Sequence, residues 1–530
     1  MKRTFRPLYL SLAMAFALAS CGSQKMISTP VENIDNLPLK TTPIAENDLK
    51  RWSHLDLVND TIPGMSVDKA YKELLKGKKG KKVIVGIVDS GVDINHEDLK
   101  AVVWTNPKEI AGNGIDDDKN GYIDDIHGWN FLGNAVHEQL EMTRIVKKGP
   151  GTPDYDKAKA ELEEELKGIQ PQKQQLDYIL NAEKALVGYF KKSDFTLEEV
   201  KAIPATETSL SQAKAVFTQV LSQSSKADFD KQIEEFKDYI YGQVNYNLNV
   251  DFDGRKIVGD NPDDLKDTKY GNNNVVGPEP KEAKHGTHVA GIVAQVRGNN
   301  KGGDGVTNNA QIMTLRAVPN GDEYDKDIAL AIRYAVDNGA KVINGSFGKY
   351  YSQHKEWVMD AIKYAESKDV LVVIAAGNES YDLDVTNKYP NDTYDGSPEF
   401  AKNVLIIGAL SPSYGSKMVA SFSNYGKNNV DIYAPGDKIY ATTPLNTYEY
   451  LQGTSMASPN VAGVATLIRS YYPSLTAVQV KQIIMESGTP LKNQVVIGED
   501  KHKANFADTS KSGRIVNAYN ALVLAAKMAK

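Results

Sequence analysis

The sequence predicts an α/β protein of three layers, a mainly parallel central sheet with helices on both faces, into which an α-helical subdomain is inserted. Two observations carry this. From residue 312 onward, short β-branched runs alternate with helix-length amphipathic segments, the order that builds right-handed crossovers and a parallel sheet. Between 134 and 249 the alternation stops, and a stretch rich in Lys, Glu, Gln and Ala with helical periodicity replaces it.

In chain order, Lys2, Arg3 and Arg6 precede an apolar stretch from Leu8 to Leu18. That is shorter than the roughly 20 residues a bilayer span needs, and it suits a signal-peptide core. Leu18-Ala19-Ser20-Cys21 closes it and resembles a bacterial lipobox. Residues 1–20 are therefore expected to be a lipoprotein signal peptide, with Cys21 the lipidated residue. The polar stretch 21–51, with Pro30, Pro38 and Pro43, reads as a tether. The expected location is outside the cytoplasm, lipid-anchored at the bacterial cell envelope, with the outer membrane or cell surface favoured. Cys21 is the single cysteine, so no intramolecular disulfide can form.

A globular domain is expected over 52–133 and 250–530. Residues 83–88 form a near-continuous β-branched run closed by Asp89, as in a strand buried on both faces. Further strands are expected at 312–318, 342–347, 370–376 and 404–409, with helices at 325–338 and 355–367. Ligands of such sheets bind beyond the carboxyl ends of the strands. Asp89 and the Ala376-Gly377-Asn378 turn both fall there. His285 opens a helix through Ala290 and Gly291, and Ser455 opens another through Val461, Val464 and Leu467. Pro459 lies in that helix's first turn, where a missing N–H costs nothing.

In the stretch 134–249, Leu176, Ile179, Leu180, Leu186, Val187 and Phe190 repeat at helical spacing. Phe229, Ile233, Phe236 and Ile240 mark one face of another helix. Thr196 with Glu199 fits a capping box.

Composition bounds the function. The 530 residues are 41% hydrophobic and 25% charged, ordinary for a soluble globular protein. A net charge of −6 is too mild to argue for a nucleic-acid partner. The eight histidines form no cluster at zinc-ligand spacing.

Three short segments carry the chemistry: VDSGVD at 88–93, HGTHVAG at 285–291 and GTSMASP at 453–459. They bring an aspartate (Asp89), a histidine (His285) and a serine (Ser455). A serine hydroxyl needs a base to take its proton as it attacks, and imidazole titrates near neutrality. A carboxylate on the other ring nitrogen sets the tautomer and stabilises the imidazolium. His288 is expected to be structural. The serine comes last and its segment lacks the second glycine of a G-x-S-x-G elbow, which argues against an α/β-hydrolase.

These segments, in this order, resemble those of the subtilisin-like serine peptidases. The resemblance extends through 419–426, 434–436 and 513–518, and covers roughly 52–133 and 250–530. It implies a subtilisin-type fold and hydrolysis of peptide bonds through an acyl-enzyme on Ser455, with protein or peptide substrates. It also implies that His285 is the base, Asp89 its orienter and Asn378 an oxyanion donor. Ser346, Phe347 and Gly348 would pair with an extended substrate, with Ala375, Ala376 and Gly377 beside them. Gly345 departs from the family, where a methionine is common. No catalytic metal or organic cofactor is expected.

The loop 113–125 is a candidate structural calcium site with ligands from Asp116, Asp118, Asn120, Tyr122 and Asp124, since hard cations take oxygen cages. Asp251, Asp253, Asp260 and Asp263 are a weaker candidate. The family's large propeptide has no counterpart between Cys21 and Arg51, so the 134–249 insert is expected to shield the cleft or govern folding.

Overall fold

The structure, a computed structural model, describes residues 43–529. The signal segment, Cys21 and most of the tether lie outside the described residues. The last part of the stretch expected to be tether is docked. A short helix, Glu46–Leu49, packs through Leu49 on the main core, and the Tyr450 hydroxyl donates to Glu46 at 2.8 Å. Among the described residues no helix is long and apolar enough to cross a membrane.

The main sheet has nine strands. Eight are parallel, seven of them β1 (Val83–Asp89), β2 (Gly128–Asn130), β3 (Ala310–Arg316), β4 (Val342–Gly345), β5 (Leu371–Ala375), β6 (Val404–Leu410) and β7 (Ile432–Pro435). Arg514–Ile515 continues beside β7 in parallel, and Thr489–Pro490 closes that edge antiparallel. Every residue of β5 and β6 is buried, which is why their sequences are unbroken aliphatic runs rather than alternating ones. β1 lies between β3 and β4. The chain order reverses there, and this switch point opens the crevice in which such folds bind ligands.

The first five longer helices fall within 134–249: α1 (Glu141–Lys148), α2 (Tyr155–Phe190), α3 (Leu197–Ala202), α4 (Ser211–Gln223) and α5 (Lys226–Gly242). They enclose a second apolar cluster around Leu176, Phe195, Phe217 and Ile240. The capping box at Thr196 and Glu199 is present. The stretch leaves and rejoins the body at one point, where the Leu140 N–H donates to the Asn247 carbonyl at 3.0 Å.

Helices α6 (Lys284–Ala294), α7 (Asp325–Asp337), α8 (Lys355–Ser367), α9 (Thr454–Tyr471), α10 (Ala477–Ser487) and α11 (Ala518–Met528) belong to the body. α7 and α8 pack together and against β1, β3 and β5. α9 packs beneath β4 to β7 and against α6 and α11. These are the three layers.

Candidate active site

Asp89 ends β1, and its side chain is only 2% exposed. Its Oδ1 accepts the Ser90 N–H at 2.8 Å and faces the His285 Nδ1 at 2.7 Å. Oδ2 is buried with no partner. The aspartate is thus committed to one ring. The helix carrying His285 comes this close because of Gly286, where a Cβ would stand 2.1 Å from the Gly91 carbonyl oxygen. The imidazole reaches the surface, with 39% of its side chain exposed. Lost hydration disfavours the imidazolium, but the Asp89 charge and hydrogen bond outweigh it and raise the His285 pKa. His288 is fully buried, its Nε2 lies 3.1 Å from the Glu449 carbonyl, and burial lowers it to about 3. It stays neutral and structural.

Ser455 lies in the first turn of α9, where backbone N–H groups have no intrahelical acceptor. Among the described residues its hydroxyl has one partner, the Ser346 carbonyl, to which it donates at 3.1 Å. It makes no hydrogen bond to His285, a looseness common before substrate binds.

The Asn378 amide oxygen accepts the Thr454 N–H at 2.8 Å and the Thr454 hydroxyl at 3.0 Å. The amide nitrogen is therefore turned the other way. Gly453 has φ of +145°, and a Cβ on it would lie 3.5 Å from the Ser455 nitrogen and 3.6 Å from both the Nδ2 and the Oδ1 of Asn378. The space its missing side chain leaves open lies between the Ser455 N–H and the Asn378 amide. Thr454, which also accepts the Gly377 N–H at 2.9 Å, has no signal of its own in the sequence, although it adjoins the serine.

β4 is two residues shorter than the sequence suggests. Ser346, Phe347 and Gly348 run past its end, beyond the last β4–β5 pair at Gly345 and Ile374. The Ser346 hydroxyl donates to the Ser455 carbonyl at 2.8 Å, locking this edge to α9. Ala375 and Ala376 are buried, and the Ala376 carbonyl accepts from Asn424 at 2.9 Å. Of Ala375, Ala376 and Gly377, only Gly377 stands at the rim. A cleft of about 620 Å³ runs from Asp89 and His285 along Ser346, Phe347 and Gly348, and its far wall includes Glu235 and Asp238 of α5.

In the candidate cation loop, Asp116 and Asp118 come together with Glu109, their carboxylate oxygens within 4.8 Å of one another. Glu109 Oε2 is buried without a partner, and an oxygen set of this kind fits a hard cation. Asp124 is used otherwise: it accepts the N–H groups of Gly112, Asn113 and Gly114. The Asn120 amide oxygen accepts the Tyr122 N–H at 2.8 Å, and the Tyr122 ring packs on Trp129. Glu109 stands outside the loop's alternating pattern, which is why sequence spacing does not reveal it. Asp260 pairs with Arg255 and Lys326, and Asp263 with Lys148. Asp260 and Asp263 are thus spent on cations.

A carboxylate-oriented imidazole, a serine at a helix N-terminus and paired donors beside it are what nucleophilic catalysis at a serine requires. The family model of the subtilases matches residues 80–506, and the chain belongs to the subtilase family. It is 36% identical over 274 residues to a thermophilic serine proteinase of Bacillus sp. (strain AK1), covering 51% of this chain and 58% of that one. Thermitase of Thermoactinomyces vulgaris is 40% identical over 187 residues, 35% of this chain and 61% of its own. Subtilisin DY of Bacillus licheniformis is 36% identical over 216 residues, 41% and 74% respectively. The chain thus spans little more than half the length of the first of these relatives.

Proposed function

We propose that the protein is a serine endopeptidase acting on proteins or peptides. The observation that carries this is the 2.7 Å contact between the buried Asp89 carboxylate and His285, beside Ser455 at the start of α9. Ser455 attacks the peptide carbonyl as His285 takes its proton, and the Asp89 charge stabilises the imidazolium. The Asn378 amide and the Ser455 N–H hold the oxyanion. His285 then protonates the leaving amine, and water hydrolyses the acyl-enzyme. Labelling with a fluorophosphonate tests this: wild type is labelled and Ser455→Ala is not. Absence of labelling in folded wild type would overturn the reading.

Residues 52–133 and 250–530 are read as the peptidase body and 134–249 as an insert, a division supported by the meeting of Leu140 and Asn247. Glu109, Asp116 and Asp118 would hold a calcium ion, which would brace the loop without entering the chemistry. The basic, then apolar, then cysteine pattern at the N-terminus supports export and lipid anchoring at Cys21. Metabolic labelling with a radioactive fatty acid tests it, expected in wild type and lost in Cys21→Ser.

A further inference from the structure

The insert does more than decorate the body. Helix α5 faces the cleft that contains His285 and the edge Ser346–Gly348, and brings Glu235 and Asp238 into its wall. Both are exposed, and neither has an ion-pair partner among the described residues. Across the cleft, Glu323 is only 3% exposed, and its Oε1 has no hydrogen-bond partner. Burial raises this carboxyl to about 7, against the pull of Lys349. A buried carboxylate oxygen without a donor is a costly arrangement that a cation would relieve.

The cleft's own cations are committed elsewhere. Lys284 pairs with Glu449 at 2.6 Å, and Lys281 lies 3.8 Å from Glu282 and 4.0 Å from Glu279. Arg316 is 2% exposed and donates to the carbonyls of Ser90, Gly133 and Ala135 and to the Asn130 amide oxygen. Behind the wall, Lys349 is matched by Glu141 and Asp325. Lys388 donates to the Phe347 carbonyl at 3.0 Å, and burial lowers it to about 8.

We propose that the insert completes a substrate pocket for a basic side chain close to the scissile bond, with Glu323 of the body on one wall and Glu235 and Asp238 of α5 on the other. The proposal rests on the peptidase reading. It makes the insert a specificity element that favours extended segments bearing Lys or Arg.

The test uses the full chain at pH 8 and internally quenched peptides that differ only in Lys or Glu at each position flanking the cleaved bond. Wild type is expected to prefer Lys at one position. Charge reversal in Glu235→Lys/Asp238→Lys, at two exposed sites, should lower the Lys-to-Glu ratio of kcat/KM by about tenfold, or about 1.4 kcal/mol. The wild-type ratio should also shrink from low salt to 0.15 M, as the Debye length falls to about 8 Å. Glu198→Lys, on α3 and outside the cleft wall, should leave the ratio unchanged. No Lys preference at any position, or a ratio unmoved by the double reversal, overturns the proposal. Failure of the underlying reading looks different: no peptide is cleaved and Ser455 is not labelled.

Discussion

Thr454 holds Asn378 by two hydrogen bonds, from its backbone N–H at 2.8 Å and from its hydroxyl at 3.0 Å, both to the same amide oxygen. The contact engages the amide oxygen and leaves the amide nitrogen free to donate beside Ser455. A donor held before the reaction adds stabilisation without reorganising during it. Asn378→Ala is expected to lower kcat by about 10²–10³. Thr454→Val keeps the shape and the backbone bond, so its loss should be smaller, about tenfold, with KM little changed. A larger effect in Thr454→Val than in Asn378→Ala would contradict this arrangement.

Ser455→Ala should lower turnover by about 10⁶, the loss seen when members of such a triad act as a unit. Residual activity above a tenth of wild type, in protein free of contaminating peptidase, would remove Ser455 from its role.

The raised pKa of His285 has a direction that kinetics can read. The imidazole must be neutral to act as base, and Asp89 keeps it protonated to higher pH than a free histidine. The acid limb of kcat/KM should therefore lie above pH 6.5. Asp89→Asn removes the charge, so the limb should move down while kcat falls by about 10⁴. An unmoved limb in the variant would assign the titration to another group.

Arg144 is 4% exposed and pairs with Glu141 while donating to the carbonyls of Gln139, Asp322 and Glu323. It ties α1 to Asp322 and Glu323 beside the cleft. Glu141 would keep Lys349, but the carbonyls that Arg144 serves would lose their donor, so Arg144→Met should cost about 1–3 kcal/mol in urea unfolding. A change under about 1 kcal/mol would mean that this tie relaxes freely.

Chelation should lower Tm if the Glu109, Asp116 and Asp118 group holds calcium. At a free ion concentration 100-fold above Kd the lost stabilisation is about 2.7 kcal/mol. Glu109→Gln should weaken the response to chelator, whereas a full response in that variant would place the ion elsewhere.

Much of this site is legible in the residues themselves. Asp89, His285 and Ser455 each stand at the end or start of an element, and each announces itself through local sequence: a β-branched run, a Gly-framed helix start, a small-residue turn. Asn378 is legible for the same reason. Thr454 and Glu323 are not, because each acts with residues distant in sequence, and Glu109 is not, because it lies a few residues before Asp116 and outside the loop's alternating pattern. The tether ends earlier than its polar composition suggests, because nothing local in 43–51 predicts that Ile44 and Leu49 find apolar surface on the body.

By itself, then, the sequence determined the alternation of strands and helices, the buried parallel sheet and the three reacting groups, since periodicity and short motifs are local properties. The tertiary structure alone decided that Thr454 orients Asn378 and that α5 lies across the cleft with Glu235 and Asp238. Those are matters of packing between segments far apart in the chain, and packing is set by the shapes of whole surfaces, which no short window of residues records.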